Sequence, residues 1–233
     1  MVKRAGSAAA ELADGSEDEV EGEAEPSRAA QIYEELRNRL LVGRIMPGVG
    51  ISTRVLAQEL GVSPMPVREA LTRLAAENAF EIRSKRRITI PEMTAERFDD
   101  LLHCRLLLEP DAAERSLPFL TRSIRAEMKR IDNAMGVALK NGDVAGYMEG
   151  NFAFHFAMYR AQPHRTLAHL IETLWLQFGP YMRVVYGRFG TTNLVDQHQV
   201  ALAAIEAGDA PALRAAIASD IADGMGLIGR SGL

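Results

Sequence analysis

The sequence predicts a mainly α protein, an N-terminal winged helix-turn-helix followed by an all-α antiparallel helical bundle. Two short helix signatures meet at Gly61-Val62-Ser63, within residues 52–77. Two short extended runs with alternating apolar residues follow, at 79–84 and 86–91. From there to the C-terminus no strand pattern is found, only long amphipathic runs separated by proline and glycine.

Ser27 can cap a first helix, RAAQIYEELRNRLLVG, with Ile32, Leu36, Leu40 and Leu41 on one face and Gly43 as its stop. The segment RIMPGVGIS reads as a turn that returns Ile51 to the core. A second helix, STRVLAQEL, is capped by Ser52 or Thr53 and closed by Gly61. In the third, Ser63 is a good N-cap whose hydroxyl can accept from a backbone N–H of the first turn. Pro64 occupies the first helical position, where its missing N–H costs nothing, and Pro66 is still within the first turn. Val67, Ala70, Leu71, Leu74 and Ala75 recur at helical spacing, while Arg68 and Arg73 point away from that face. Two helices joined by a tight turn, the second with an arginine near its start, read as a DNA-binding helix-turn-helix. The extended runs place Phe80, Ile82, Ile88 and Ile90 at alternating positions, with Lys85, Arg86 and Arg87 at the tip between them. Such a wing can hold phosphate or enter the minor groove.

After Pro91, Thr94 can cap the helix that opens the second domain. Helices are expected at about 95–116, 120–140, 143–161, 165–187, 193–207 and 210–229, with a kink at Gly179-Pro180. Short loops between them imply an antiparallel bundle. The expected domains are therefore an acidic tail over 1–26, a DNA-binding domain over 27–92, and a helical domain over 93–233.

Charge divides along the chain in the same way. Residues 1–27 carry eight Asp/Glu against two Lys/Arg, with no apolar periodicity, as in a disordered leader. Residues 28–92 carry eleven Lys/Arg against seven Asp/Glu, so a chain of net charge −4 is positive where DNA would lie. No apolar run approaches a membrane span, and the N-terminus lacks the apolar core of a secretory signal. With one cysteine, Cys104, in the apolar run LLHCRLLLE, a buried small hydrophobe in a cytoplasmic protein is expected. His164 and His169, five apart, do not share a helix face and are not expected to form a site.

The run GRIMPG, STRVLAQELGVS and PVREALTRLAAE, joined to a helical bundle, resembles the GntR family of bacterial transcription regulators and, within it, the FadR subfamily. The resemblance spans about residues 28–230. It implies operator contacts through Arg54 and Arg68, together with Ser63 and the wing. An arginine fork can donate twice to guanine N7 and O6. Where the family often has Arg then Thr, this chain has Pro64 and Met65, and Arg87 replaces a usual wing glycine.

The resemblance extends into the bundle. The family pattern Glu-x-Arg-x-x-Leu-Glu appears as His103, Arg105, Leu108 and Glu109. The family's divalent-metal ligands fall on Asn151 and His155, then His198, then Asp220 in place of a histidine. Asn151 and His155, four apart, share a helix face. Two imidazoles, a carboxylate and an amide oxygen can hold Zn, Ni or Mn; the alternative is a polar core network without metal. Arg105 and Arg183 lie on helices whose apolar faces are expected to line one cavity. A buried arginine needs an internal carboxylate or a ligand as partner. The resemblance implies an effector site for a small organic acid, with His103, Arg105 and Arg183 as its residues. Tyr159, Trp175 and Tyr181 are either its walls or plain core.

Together these features imply a cytoplasmic, homodimeric regulator that binds double-stranded operator DNA. A small carboxylate would shift its operator affinity, with repression relieved by ligand as the expected sign and activation the alternative. The competing class is a metal-dependent enzyme acting on a small carboxylate, with the winged helix as a docking module. HExxH and nucleophile-elbow patterns are absent from the sequence.

Overall fold

The computed structural model describes residues 26–84, 87–189 and 196–230. The acidic leader and the wing residues Lys85 and Arg86 lie outside the described residues. Three helices come first: α1 (Arg28–Leu41), α2 (Thr53–Glu59) and α3 (Pro64–Ala76). Ser27 caps α1 by accepting from the Ala30 amide, and Ser52 caps α2 from Val55. Gly61, at φ 64°, takes the left-handed turn between α2 and α3 that a Cβ would oppose. Leu36, Leu40, Leu71 and Leu74 are fully buried between α1 and α3; burial of such a side chain stabilises by roughly 1.5–3 kcal/mol.

Asn78, also left-handed, closes α3 and turns the chain into the hairpin β1 (Glu81–Ser84) and β2 (Arg87–Thr89). The strands pair antiparallel, Ile82 opposite Ile88. Ile51 returns as expected and donates its amide to the Ile88 carbonyl at 2.7 Å. Phe80, Ile88 and Ile90 enter the core, but Ile82 is exposed. Ile82 shares a face with its partner Ile88 and lies beside the register shift between Ile82 and Ser84.

The second part comprises α4 (Ala95–Ser116), a 3-10 turn at Leu117–Phe119, α5 (Arg122–Lys140), α6 (Val144–Tyr159), α7 (Thr166–Phe189), α8 (Gln197–Ala207) and α9 (Ala210–Arg230). α4 packs on α9 and α7, α5 on α6, and α8 on α9. Side-chain caps at Thr94, Thr121, Asp143 and Asp196 each satisfy the amide three residues on. α7 continues through Gly179-Pro180, with Pro180 inside the helix. A Cβ on Gly179 would lie 2.6 Å from the Leu40 carbonyl oxygen, so this glycine lets the end of α1 rest on α7. Cys104 is half-buried rather than fully enclosed. Among the described residues no helix is long and apolar enough to cross a membrane.

Candidate DNA-facing surface and bundle centre

The helix-turn-helix presents two free cations. Among the described arginines between residues 28 and 84, Arg28 bonds Gln31, Arg37 bonds Glu172, and Arg39 pairs with Glu35 and Glu59. Arg44 pairs with Glu149, Arg73 covers the Tyr33 ring, and Arg83 pairs with Glu81. Arg54 and Arg68 alone have no partner among the described residues, and both are exposed. A cation held by no carboxylate is available to phosphate or to a base edge at no internal cost.

Ser63 stands at the N-cap of α3, but its hydroxyl makes no capping bond. The other side-chain caps among the described residues use the amide three residues on, and here that residue is Pro66, which has none. The hydroxyl is therefore free beside Arg68. Of the wing cations, Arg87 opens β2; Lys85 and Arg86 are outside the described residues.

The second cluster lies at the centre of the bundle. α6 supplies His155, α8 His198 and α9 Asp220. His155 Nε2 is 3.1 Å from Asp220 Oδ2 and 3.4 Å from His198 Nε2, and His198 Nε2 is 3.8 Å from Asp220 Oδ1. Both imidazoles are almost wholly buried, while a quarter of the Asp220 side chain reaches solvent. Asn151 is buried one turn before His155, with no hydrogen-bond partner among the described residues.

The network behind His155 fixes its proton. Tyr159 donates its single hydroxyl hydrogen to Glu109 Oε2 at 3.0 Å, because a carboxylate can only accept. His155 Nδ1, 3.1 Å from the same hydroxyl oxygen, must then donate to it. The other ring nitrogen, Nε2, faces Asp220 and His198. Burial pushes His198 below its ordinary pKa, with the Asp220 charge opposing. Burial also raises Asp220, but His198, the His155 bond and Arg105 outweigh it and hold the carboxyl at about 2. Two imidazoles and a carboxylate thus converge on one point. The donor set fits a divalent metal such as Zn, Ni or Mn. Behind His198, Asp132 Oδ1 lies 3.8 Å from Nδ1, and Asp132 also accepts from the Gln199 amide.

Arg105 proves to have an internal partner. It forms an ion pair with Glu109 one turn away, and its guanidinium lies over Phe178 and Trp175 at 4.4 and 4.9 Å. The other expected effector residues are not brought to it. His103 is exposed, because two positions along a helix lie on nearly opposite faces. Arg183 is half-buried against Gly43 at the junction with the N-terminal domain. Tyr181 also faces that junction, donating to the Pro91 carbonyl at 2.5 Å. Trp175 stays at the centre, 5.5 Å from the His155 ring, and its buried indole N–H has no acceptor among the described residues. His164 and His169 are exposed and lie apart from this cluster.

The same helices carry the junction. Glu172 of α7, buried, accepts from Arg160 at the end of α6 and from Arg37 of α1. Arg97 bridges the Asn78 carbonyl and Gln177 at 3.2 and 3.0 Å. Sequence reasoning passed over Glu172 and Asp132. Asp132 did leave a signal, a carboxylate on the apolar face formed by Met128, Ile131 and Met135. Glu172 left none, because its two partners come from distant segments.

Two family models match the chain: "Bacterial regulatory proteins, gntR family" over residues 28–90, and "FCD domain" over residues 100–223. The HTH-type transcriptional regulator McbR of Escherichia coli (strain K12) is 30% identical over 195 residues, 82% of this chain and 88% of that protein. The gluconate operon transcriptional repressor of Bacillus subtilis (strain 168) is 27% identical over 195 residues, 78% of this chain and 77% of that protein. The solved structure of E. coli McbR/YncC superposes with a TM-score of 0.83 at 27% identity, covering 89% of this chain and all of that one.

Proposed function

The chain belongs to the GntR family of bacterial regulatory proteins, with an FCD domain after its DNA-binding domain, and from that premise we propose a repressor controlled by a small organic acid. It is a transcriptional regulator rather than an enzyme, since its relatives are named regulators. Arg54 and Arg68, with Ser63, read an operator half-site in the major groove, and Lys85, Arg86 and Arg87 hold the flanking backbone. Residues 27–92 form the DNA-binding unit, 93–233 the effector and dimerisation unit, and 1–26 an acidic leader. A homodimer pairs two such units on a near-palindromic site in the cytoplasm. The observation that carries this reading is the pair of exposed, unpartnered arginines, Arg54 and Arg68, where the other described arginines of residues 28–84 are held by partners.

In the bundle, His155, His198 and Asp220 hold a divalent ion, with Asn151 as a fourth donor. The ion would supply a Lewis-acid anchor for an effector carboxylate. Arg105, over the Trp175 ring, and the Trp175 N–H, whose ring lies 5.5 Å from that of His155, favour an anionic or acceptor-rich ligand there. Arg105 is already charge-paired, so it serves as a hydrogen-bonding wall rather than a free cation. His103 and Arg183 lie too far round or too far along to belong to the same first contacts. A relative named for the gluconate operon is in keeping with a sugar-acid class of ligand. Ligand binding at α6, α8 and α9 would shift populations of dimer geometry and so change operator affinity.

The test is selection of bound duplexes from a random pool, followed by titration across salt and against a panel of hydroxy and sugar acids. Enrichment of a near-palindrome, a steep salt slope and acid-dependent release are expected. Equal binding to all sequences would overturn the regulator reading, and indifference to every acid would overturn the effector class.

A further inference from the structure

Met65 is 78% exposed, the highest value of any large apolar side chain among the described residues. It stands at the second position of α3, three residues before Arg68, so the two share one face of the helix. The flanking prolines shape this tip in two ways. Pro64 and Pro66 remove two of the N–H donors that a helix start normally offers an anion, and Pro66 also releases the Ser63 hydroxyl from capping. The tip is thus poor in backbone donors and is read through its side chains: a free hydroxyl, an unpartnered arginine and between them an apolar thioether. On the base edges of the major groove the thymine C5 methyl is the distinctive apolar group. A methionine, unbranched and polarizable, adapts its length and torsions to such a contact.

We propose that Met65 packs on a thymine C5 methyl beside the base pair contacted by Arg68, and so sets the base preference at that step. This rests on α3 being the recognition helix, and its test separates the two ideas. Full-length protein is used to select an operator from a random duplex pool, and Arg68→Ala marks the step whose preference relaxes. Each thymine near that step is then replaced singly by deoxyuridine, which deletes only the methyl group, and both operators are titrated with wild type and with Met65→Ala. The expected result is one thymine per half-site whose replacement weakens wild-type binding roughly fourfold, the size expected for one buried methyl. Met65→Ala should lose the same factor on the thymine operator and show no further loss on the uracil operator. Because the side chain is so exposed, this variant keeps its helical content. If every replacement were neutral, or if Met65→Ala remained as sensitive as wild type, the Met65 contact would be overturned while sequence-specific binding stood. If no sequence were enriched, the recognition helix assignment would fall and Met65 with it.

Discussion

Tyr159 stands between Glu109 and His155, donating its hydroxyl to the carboxylate at 3.0 Å and facing the imidazole Nδ1 at 3.1 Å. One hydroxyl thereby makes the His155 Nδ1 a donor and turns Nε2 toward Asp220 and His198. Outer hydrogen-bond partners of this kind orient a ligating imidazole and raise its basicity. Tyr159→Phe should therefore keep the fold but weaken divalent-metal binding by about 10- to 100-fold, as measured by competition with a chelating dye. Unchanged affinity would mean that the tautomer is set elsewhere.

Glu109 has a second duty, since it neutralises Arg105, and both side chains are almost wholly buried. Removing one partner of such a pair leaves an uncompensated charge in the core. Glu109→Gln should cost about 3–5 kcal/mol in chemical unfolding. A loss below about 1 kcal/mol would mean that solvent or another carboxylate reaches Arg105.

On the DNA-facing side, each of the two free arginines should read a base step. Arg68→Ala, on α3, should lose about 1–3 kcal/mol on the selected operator and relax its base preference at one step. Arg54→Ala, on α2, should likewise weaken the selected operator and relax its base preference at a second step. Binding of both variants at wild-type strength and preference would remove these assignments.

Much of this was legible from the sequence because the signals are local. The caps at Ser27, Ser52 and Thr94, the apolar spacing of α1 and α3, and the left-handed glycine in the turn each act within a few residues. His155 and His198 were legible as candidates because polar residues at resemblance-derived spacings fall on converging helices. What local pattern could not carry was pairing across the fold. Arg183 faces Gly43 rather than Arg105, because the face of α7 that meets α1 is fixed by the close approach at Gly179. His103 was assigned by alignment with the family pattern, whereas the face buried on α4 carries Leu101, Arg105 and Glu109. Ser63 met the rule for an N-cap residue type, and a proline three positions on removed the bond that the rule presumes.

The junction should be sensitive to acid through Glu172. Burial raises its pKa, but hydrogen bonds from Arg160 and Arg37 outweigh that and leave it below the ordinary carboxylate value. A depressed folded pKa stabilises fully above the unfolded value, and the contribution is lost as pH falls through the folded one. Glu172→Gln should thus lower stability by about 2 kcal/mol near neutrality. The difference from wild type should close on acidification below the ordinary carboxylate range, in unfolding followed as a function of pH. A gap that persists at low pH would assign the loss to packing rather than to charge.

The arrangement of His155, His198 and Asp220 around a shared point is tested most directly by metal content. Dialysed wild-type protein is analysed by mass spectrometry beside His155→Ala and His198→Ala, with helical content recorded for each. Stoichiometric Zn, Ni or Mn in the wild type, lost in both variants without loss of helix, is the expected result. A wild-type chain that retains no divalent metal even after incubation with all three would contradict it, and the three residues would then form a polar core network.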